Sequence, residues 1–117
     1  MEELYEGMNT PWGTLQWTRT LAPGVYWIDT TGHGGILIGA TVAQRNLSPQ
    51  ALHIGERWGN KLFFEEDCAV AAPLYEHPEW QEQLGGSQEN YDPAEALRRY
   101  FPAYFEAPVQ LCLPLSE

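Results

Sequence analysis

The period of the hydrophobic pattern changes along the chain, and the changes predict the elements. In "TLQWTRT" (14–20), Leu15 and Trp17 alternate with Gln16 and Thr18, the period-two pattern of a half-buried strand. "APG" (22–24) ends this strand, and "VYWIDT" (25–30) begins a second, with Val25, Trp27 and Asp29 on one face and Tyr26 and Ile28 on the other. "TTGHGG" follows as a turn, and "GILIGA" (35–40) is apolar enough to be a third strand buried on both faces. Short strands with tight connections predict an antiparallel meander. Ser48-Pro49 reads as N-cap and first residue of a short helical turn, and "GERWGN" (55–60) as loop.

From residue 64 the spacing lengthens. Phe64, Cys68, Ala71, Ala72 and Tyr75 recur at the three-and-four spacing of one helix face, behind Glu65, Glu66 and Asp67 at the helix start. Pro73 falls inside that helix and should kink or shorten it. Asp92, Pro93 and Glu95 carry the signature of an N-cap and capping box, opening a second helix with Leu97, Phe101 and Tyr104 on its apolar stripe. Residues 77–91 read as a polar loop, and "PVQLCLPL" (108–115) alternates Val109, Leu111 and Leu113 as a returning strand. The expected fold is α+β: one domain over residues 1–117 with a mobile start at 1–9, and a small antiparallel sheet of three to four strands with two helices packed on one face.

Composition sharpens this picture. Apolar residues at 44% and aromatics at 13% in 117 residues are too many for a disordered chain and enough for a modest core. No apolar run approaches membrane-spanning length, and "MEELYEGMN" is acidic where a secretory leader would be apolar. Two cysteines without paired spacing, Cys68 and Cys112, read as free thiols, so the expected location is cytoplasmic. The formal net charge is −10. Residues 65–106 hold ten acids against only Arg98 and Arg99, a net −8. Such a segment repels phosphate and argues against nucleic acid as a direct ligand, while attracting a basic protein surface. Its simplest alternative role is solubility.

Four groups of residues could carry chemistry. His33, between Gly32 and Gly34, could act as a base or ligand; equally, the glycines supply a turn and the imidazole is incidental. Cys68 near a helix start could be a nucleophile with His33 as base and Asp67 or Asp29 as the carboxylate, but the acids before it oppose a thiolate, and its place on the apolar stripe suits a buried structural thiol. Glu65, Glu66 and Asp67 with His33, His53 or His77 could hold a divalent cation. On a helix, however, consecutive residues diverge by about 100°, so the three acids could not converge, and neither metal nor cofactor is expected. Finally, five tryptophans exceed what so small a core takes. Trp17 and Trp27 are assigned to the core, and Trp58 and Trp80 to exposed anchors at a protein interface.

The order of "TPWG" (10–13), "APGVYWIDTTGHGG" (22–35), "FFEEDCAVAAPLYEHPE" (63–79) and "ALRRYFPAYFE" (96–106) resembles a small uncharacterised domain family of bacterial plasmids and phages. The resemblance covers residues 10–106, with EEDC its most specific element and departures at 39–60 and Pro73. It implies a bacterial, mobile-element setting, often beside anti-defence genes. His33, Gly34, Gly35, Glu65, Glu66, Asp67 and Cys68 carry over as motif positions without assigned roles. Together with the charge, it leads to the expectation of a non-enzymatic inhibitor of a host defence system, of anti-CRISPR or anti-restriction type. Its partner would be a basic host protein or nucleoprotein complex, with a homodimer also open. Glu65, Glu66, Asp67, Glu76, Glu79, Glu82, Trp58 and Trp80 are the expected binding residues. The alternative is a small hydrolase or modifying enzyme using His33, Cys68 and a carboxylate.

Overall fold

The computed structural model describes residues 4–85 and 90–106. The strands are β1 (Asn9–Thr10), β2 (Gly13–Ala22), β3 (Val25–Thr30), β4 (Gly34–Gly39), β5 (Glu56–Trp58) and β6 (Lys61–Glu65). They form one antiparallel sheet in the order β1-β2-β3-β4-β6-β5, curled into a half-barrel. Helices α1 (Ala40–Asn46), α2 (Pro49–Ile54), α3 (Ala71–Glu76), α4 (Pro78–Leu84) and α5 (Pro93–Tyr100), with a 3-10 turn at Pro102–Phe105, complete the described chain. The fold is α+β as expected, but the sheet and the helix set are both larger than the three to four strands and two helices anticipated.

Strand alternation divides the core in two. Val25, Trp27, Ile36, Ile38, Leu62 and Phe64 face the helices, which contribute Ala43, Ala51, Leu74, Trp80 and Leu97. Leu15, Ile28, Leu37 and Phe63 face the opposite side, under Leu4, Met8, Trp12 and Tyr26. β4 is thus buried on both faces, as its unbroken apolar run requires. β6 is too, and for that reason Leu62-Phe63-Phe64 shows no alternation to mark it as a strand. Its hairpin partner β5 is exposed at all three residues, so the expected loop at 55–60 is in fact a strand and a tight turn, with Gly59 at φ +66°.

The expected helix from residue 65 is the largest correction. The chain is still extended at Glu65, turns through 66–70, and becomes helical only at Ala71. Pro73 therefore falls in the first turn of α3, where its missing N–H is one that no helix bond needs, and it kinks nothing. Tyr75, expected on the buried stripe, is exposed and meets Tyr104 and Phe105 edge-on. The expected loop at 77–91 contains α4. The other local signals hold: Ser48 accepts the Ala51 N–H at 3.1 Å, and Asp92 accepts the Glu95 N–H at 3.2 Å. The predicted strand around Val109–Leu113 lies outside the described residues.

Two tryptophans change places. A bulge between Leu15 and Trp17 breaks the β2 alternation, so Leu15 pairs with Thr30 on one face while Trp17 pairs with Asp29 on the other. Leu15 is buried, and Trp17 is 49% exposed with the Arg19 guanidinium over its ring. Trp80, expected as an exposed anchor, is 4% exposed, because α4 turns it into the core and stacks it on His77 at 4.0 Å. Trp27 and Trp58 stand as expected, the first buried and the second 44% exposed.

Candidate functional site: the acidic end of the sheet

The turn between β3 and β4 is built on Thr30. Its buried hydroxyl accepts the backbone N–H of Gly32 and of His33, each at 3.1 Å, and donates to the His33 carbonyl at 2.7 Å. The turn is also tied to the start of the neighbouring strand through Trp12 and Thr14, and the His33 imidazole projects outward from it, about half exposed. The next two glycines have steric reasons. A Cβ on Gly34 would stand 2.7 Å from Asp29 Oδ1 and 3.0 Å from Glu66 Oε1, so these two carboxylates lie over bare backbone. A Cβ on Gly35 would stand 2.2 Å from the Phe64 carbonyl and 2.8 Å from the Trp12 ring.

Pairing of β4 with β6 then decides which acids meet. Gly35 is opposite Glu65, and the ladder continues as the Glu66 N–H donates to the Gly34 carbonyl at 2.9 Å. Glu65 is the last residue of β6, and Glu66 and Asp67 open the turn that follows it. Glu66 joins Asp29 over Gly34 on the helix side. Glu65 and Asp67 join His33 on the opposite side, where one donor atom from each lies within 4.8 Å of the other two. His33 Nδ1 is 3.5 Å from Glu65 Oε2. Four carboxylates and one imidazole are thus gathered at one end of the sheet, from segments about thirty residues apart. Residues 5–117 match the family described as Domain of unknown function (DUF7007).

The chain belongs to that family. No curated protein and no solved structure matches this DUF7007 domain.

The remaining sequence candidates are dispersed. Cys68 is a free, partly buried thiol in the turn after Asp67. Burial pushes its pKa up, and the charges of Glu65 and Asp67 push it further, against a smaller opposing hydrogen bond from the Ala69 backbone. Glu76 is not free for a partner. It accepts the Ser48 N–H at 2.9 Å, the Ser48 hydroxyl at 2.5 Å and the Tyr104 hydroxyl at 2.5 Å. Glu79 and Glu82 are exposed on α4, and a hydrogen bond from His77 at 2.9 Å lowers the Glu79 pKa. Cys112 lies outside the described residues.

Two features of this DUF7007 domain escaped sequence reasoning. Asp29 stands beside Glu66, a neighbour that only the β3–β4 and β4–β6 registers supply. An apolar groove of about 530 Å³ runs between α2 and the 3-10 turn, lined by Pro49, Ile54, Tyr100, Phe101 and Tyr104 among others. Phe101 and Tyr104 were expected on the stripe of the second helix, but α5 ends at Tyr100 and the 3-10 turn at Pro102–Phe105 places them against α2 instead.

Proposed function

We propose that this domain is a non-catalytic binding protein that inhibits a host defence system of anti-CRISPR or anti-restriction type, its carboxylates occupying a basic nucleic-acid-binding surface. The observation that carries the reading is the gathering of Asp29, Glu65, Glu66 and Asp67 at one end of the sheet. A compact set of like charges gives a directional field, which a scattered net charge does not, and such fields govern encounter rate and choice of partner. Exposed Glu79 and Glu82 on α4 add negative charge elsewhere on the surface, and exposed Trp58, at the other end of β6, offers an aromatic anchor. The mobile-element setting rests on the motif resemblance.

The hydrolase alternative draws less support. A nucleophilic cysteine needs a lowered thiol pKa, and that of Cys68 is raised. The carboxylate beside His33 is also one of the two charges that raise it.

The test is binding of the domain to purified CRISPR effector complexes and restriction enzymes at increasing salt, with and without competing DNA. Binding should fall steeply with salt, be displaced by DNA, and weaken in a Glu66→Gln, Glu79→Gln, Glu82→Gln triple variant. Absence of binding to every complex at low salt, or binding indifferent to the triple variant, defeats the reading.

A further inference from the structure

We infer that His33, Glu65 and Asp67 form a surface site for a divalent cation of the Mn²⁺, Fe²⁺ or Zn²⁺ class. The inference goes beyond the binding-surface reading and stands whether or not that reading holds. Glu65, Glu66 and Asp67 would diverge if they opened a helix, as their spacing after Phe64 suggests. In the fold Glu65 ends β6, and Glu66 and Asp67 open the turn after it, which brings Asp67 beside Glu65 and His33. The register of β6 on β4 carries that pair to the turn that projects His33.

The distances agree with a shared ion. Donors each about 2.1 Å from one metal stand roughly 3.0 to 3.5 Å apart when adjacent in its coordination shell. His33 Nδ1 and Glu65 Oε2 are already 3.5 Å apart, and all three donor atoms lie within 4.8 Å of one another. Closing the remaining ångström takes side-chain rotation only, since His33 and Asp67 are exposed and Glu65 partly so. The backbone beneath them is fixed by the Thr30 hydroxyl and by the tight seat of Gly35 against Phe64 and Trp12.

The donor set selects the ion. A purely carboxylate cluster would be a diffuse counterion site, and Mg²⁺ or Ca²⁺ would serve it. One imidazole nitrogen with two carboxylate oxygens suits borderline cations better than these hard ones. Asp29 and Glu66, on the other side of the same strand ends, add negative potential without competing for the ion. The exposed positions leave the rest of the coordination shell open to water or to a donor from elsewhere.

The experiment titrates Zn²⁺ and Mn²⁺, with Mg²⁺ as comparator, into the metal-stripped full-length chain. Heat of binding and thermal midpoint are read together. One equivalent of Zn²⁺ or Mn²⁺ should bind saturably and raise the midpoint, with Mg²⁺ weaker. His33→Ala and Asp67→Asn should each weaken that binding about tenfold or more, while Glu82→Gln leaves it unchanged. Each variant's unliganded melt establishes that it folds; if His33→Ala does not, His33→Asn is read in its place. No saturable binding at millimolar metal, or binding equally strong in both ligand variants, overturns the site. Partner binding is read separately through Glu66, Glu79 and Glu82, none of which is a proposed ligand, so the two readings fail independently.

Discussion

Replacing Glu76 by alanine should be among the most damaging changes of a charged residue in this domain. Its carboxylate joins three elements: Ser48 at the start of α2, α3 that carries it, and Tyr104 in the 3-10 turn. Removal leaves the Ser48 N–H and the Tyr104 hydroxyl without their acceptor and loosens the Ser48 cap on Ala51. A hydrogen bond to a charged group contributes about 1.5 to 3 kcal/mol. All three bonds are only partly buried, and water replaces some of what is lost, so the low end applies. The expected loss is about 3 to 4 kcal/mol, and at about 4 °C per kcal/mol for this chain length the thermal midpoint falls by roughly 12 to 16 °C. Glu76→Gln keeps one acceptor oxygen and should cost about half as much. The assay is thermal and urea unfolding of wild type, Glu76→Ala, Tyr104→Phe and the double variant. The two changes share a bond, so the double-mutant cycle should show coupling of about 1 kcal/mol or more. A loss below about 0.5 kcal/mol, or strict additivity with Tyr104→Phe, would refute the reasoning and return Glu76 to the set of free surface acids.

Three further outcomes follow from the packing. Gly35→Ala places a methyl 2.2 Å from the Phe64 carbonyl and should cost several kcal/mol, about 3 or more, or prevent folding; soluble yield and the melt check it. Trp80→Ala empties a site that is 4% exposed and should cost about 3 to 5 kcal/mol, whereas Trp58→Ala, at an exposed strand end, should cost less than half of that. Burial raises the Tyr91 pKa to about 12, and burial and then the Glu76 hydrogen bond raise that of Tyr104. The folded chain therefore keeps these protons after the unfolded chain has begun to lose them near pH 10, so stability should hold below about pH 10 and decline above it. A flat unfolding free energy from pH 9 to about 11.5 would contradict this assignment.

The sequence alone determined the elements whose signals are local. β3 is visible by its two-faced pattern, β4 by its apolar run, α2 by Ser48-Pro49 and α5 by Asp92-Pro93-Glu95, because alternation and capping depend only on neighbours in the chain. The α+β class followed from these. Where two residues of different strands meet was not legible. The β2 bulge reversed the faces of Leu15 and Trp17, and a strand buried on both sides carried Phe64 and Glu65 into a pattern that imitated a helix. The candidate site shows the same limit. Its residues, His33, Glu65, Glu66 and Asp67, stood out in the sequence, but a helix at 65 would have scattered them, whereas a strand ending at Glu65 and the turn after it gather them. That choice belonged to β6, which exists because β4 and β5 pair with it on either side. Asp29 beside Glu66, and His33 beside Glu65 and Asp67, are products of that register, and tertiary pairing alone decided it.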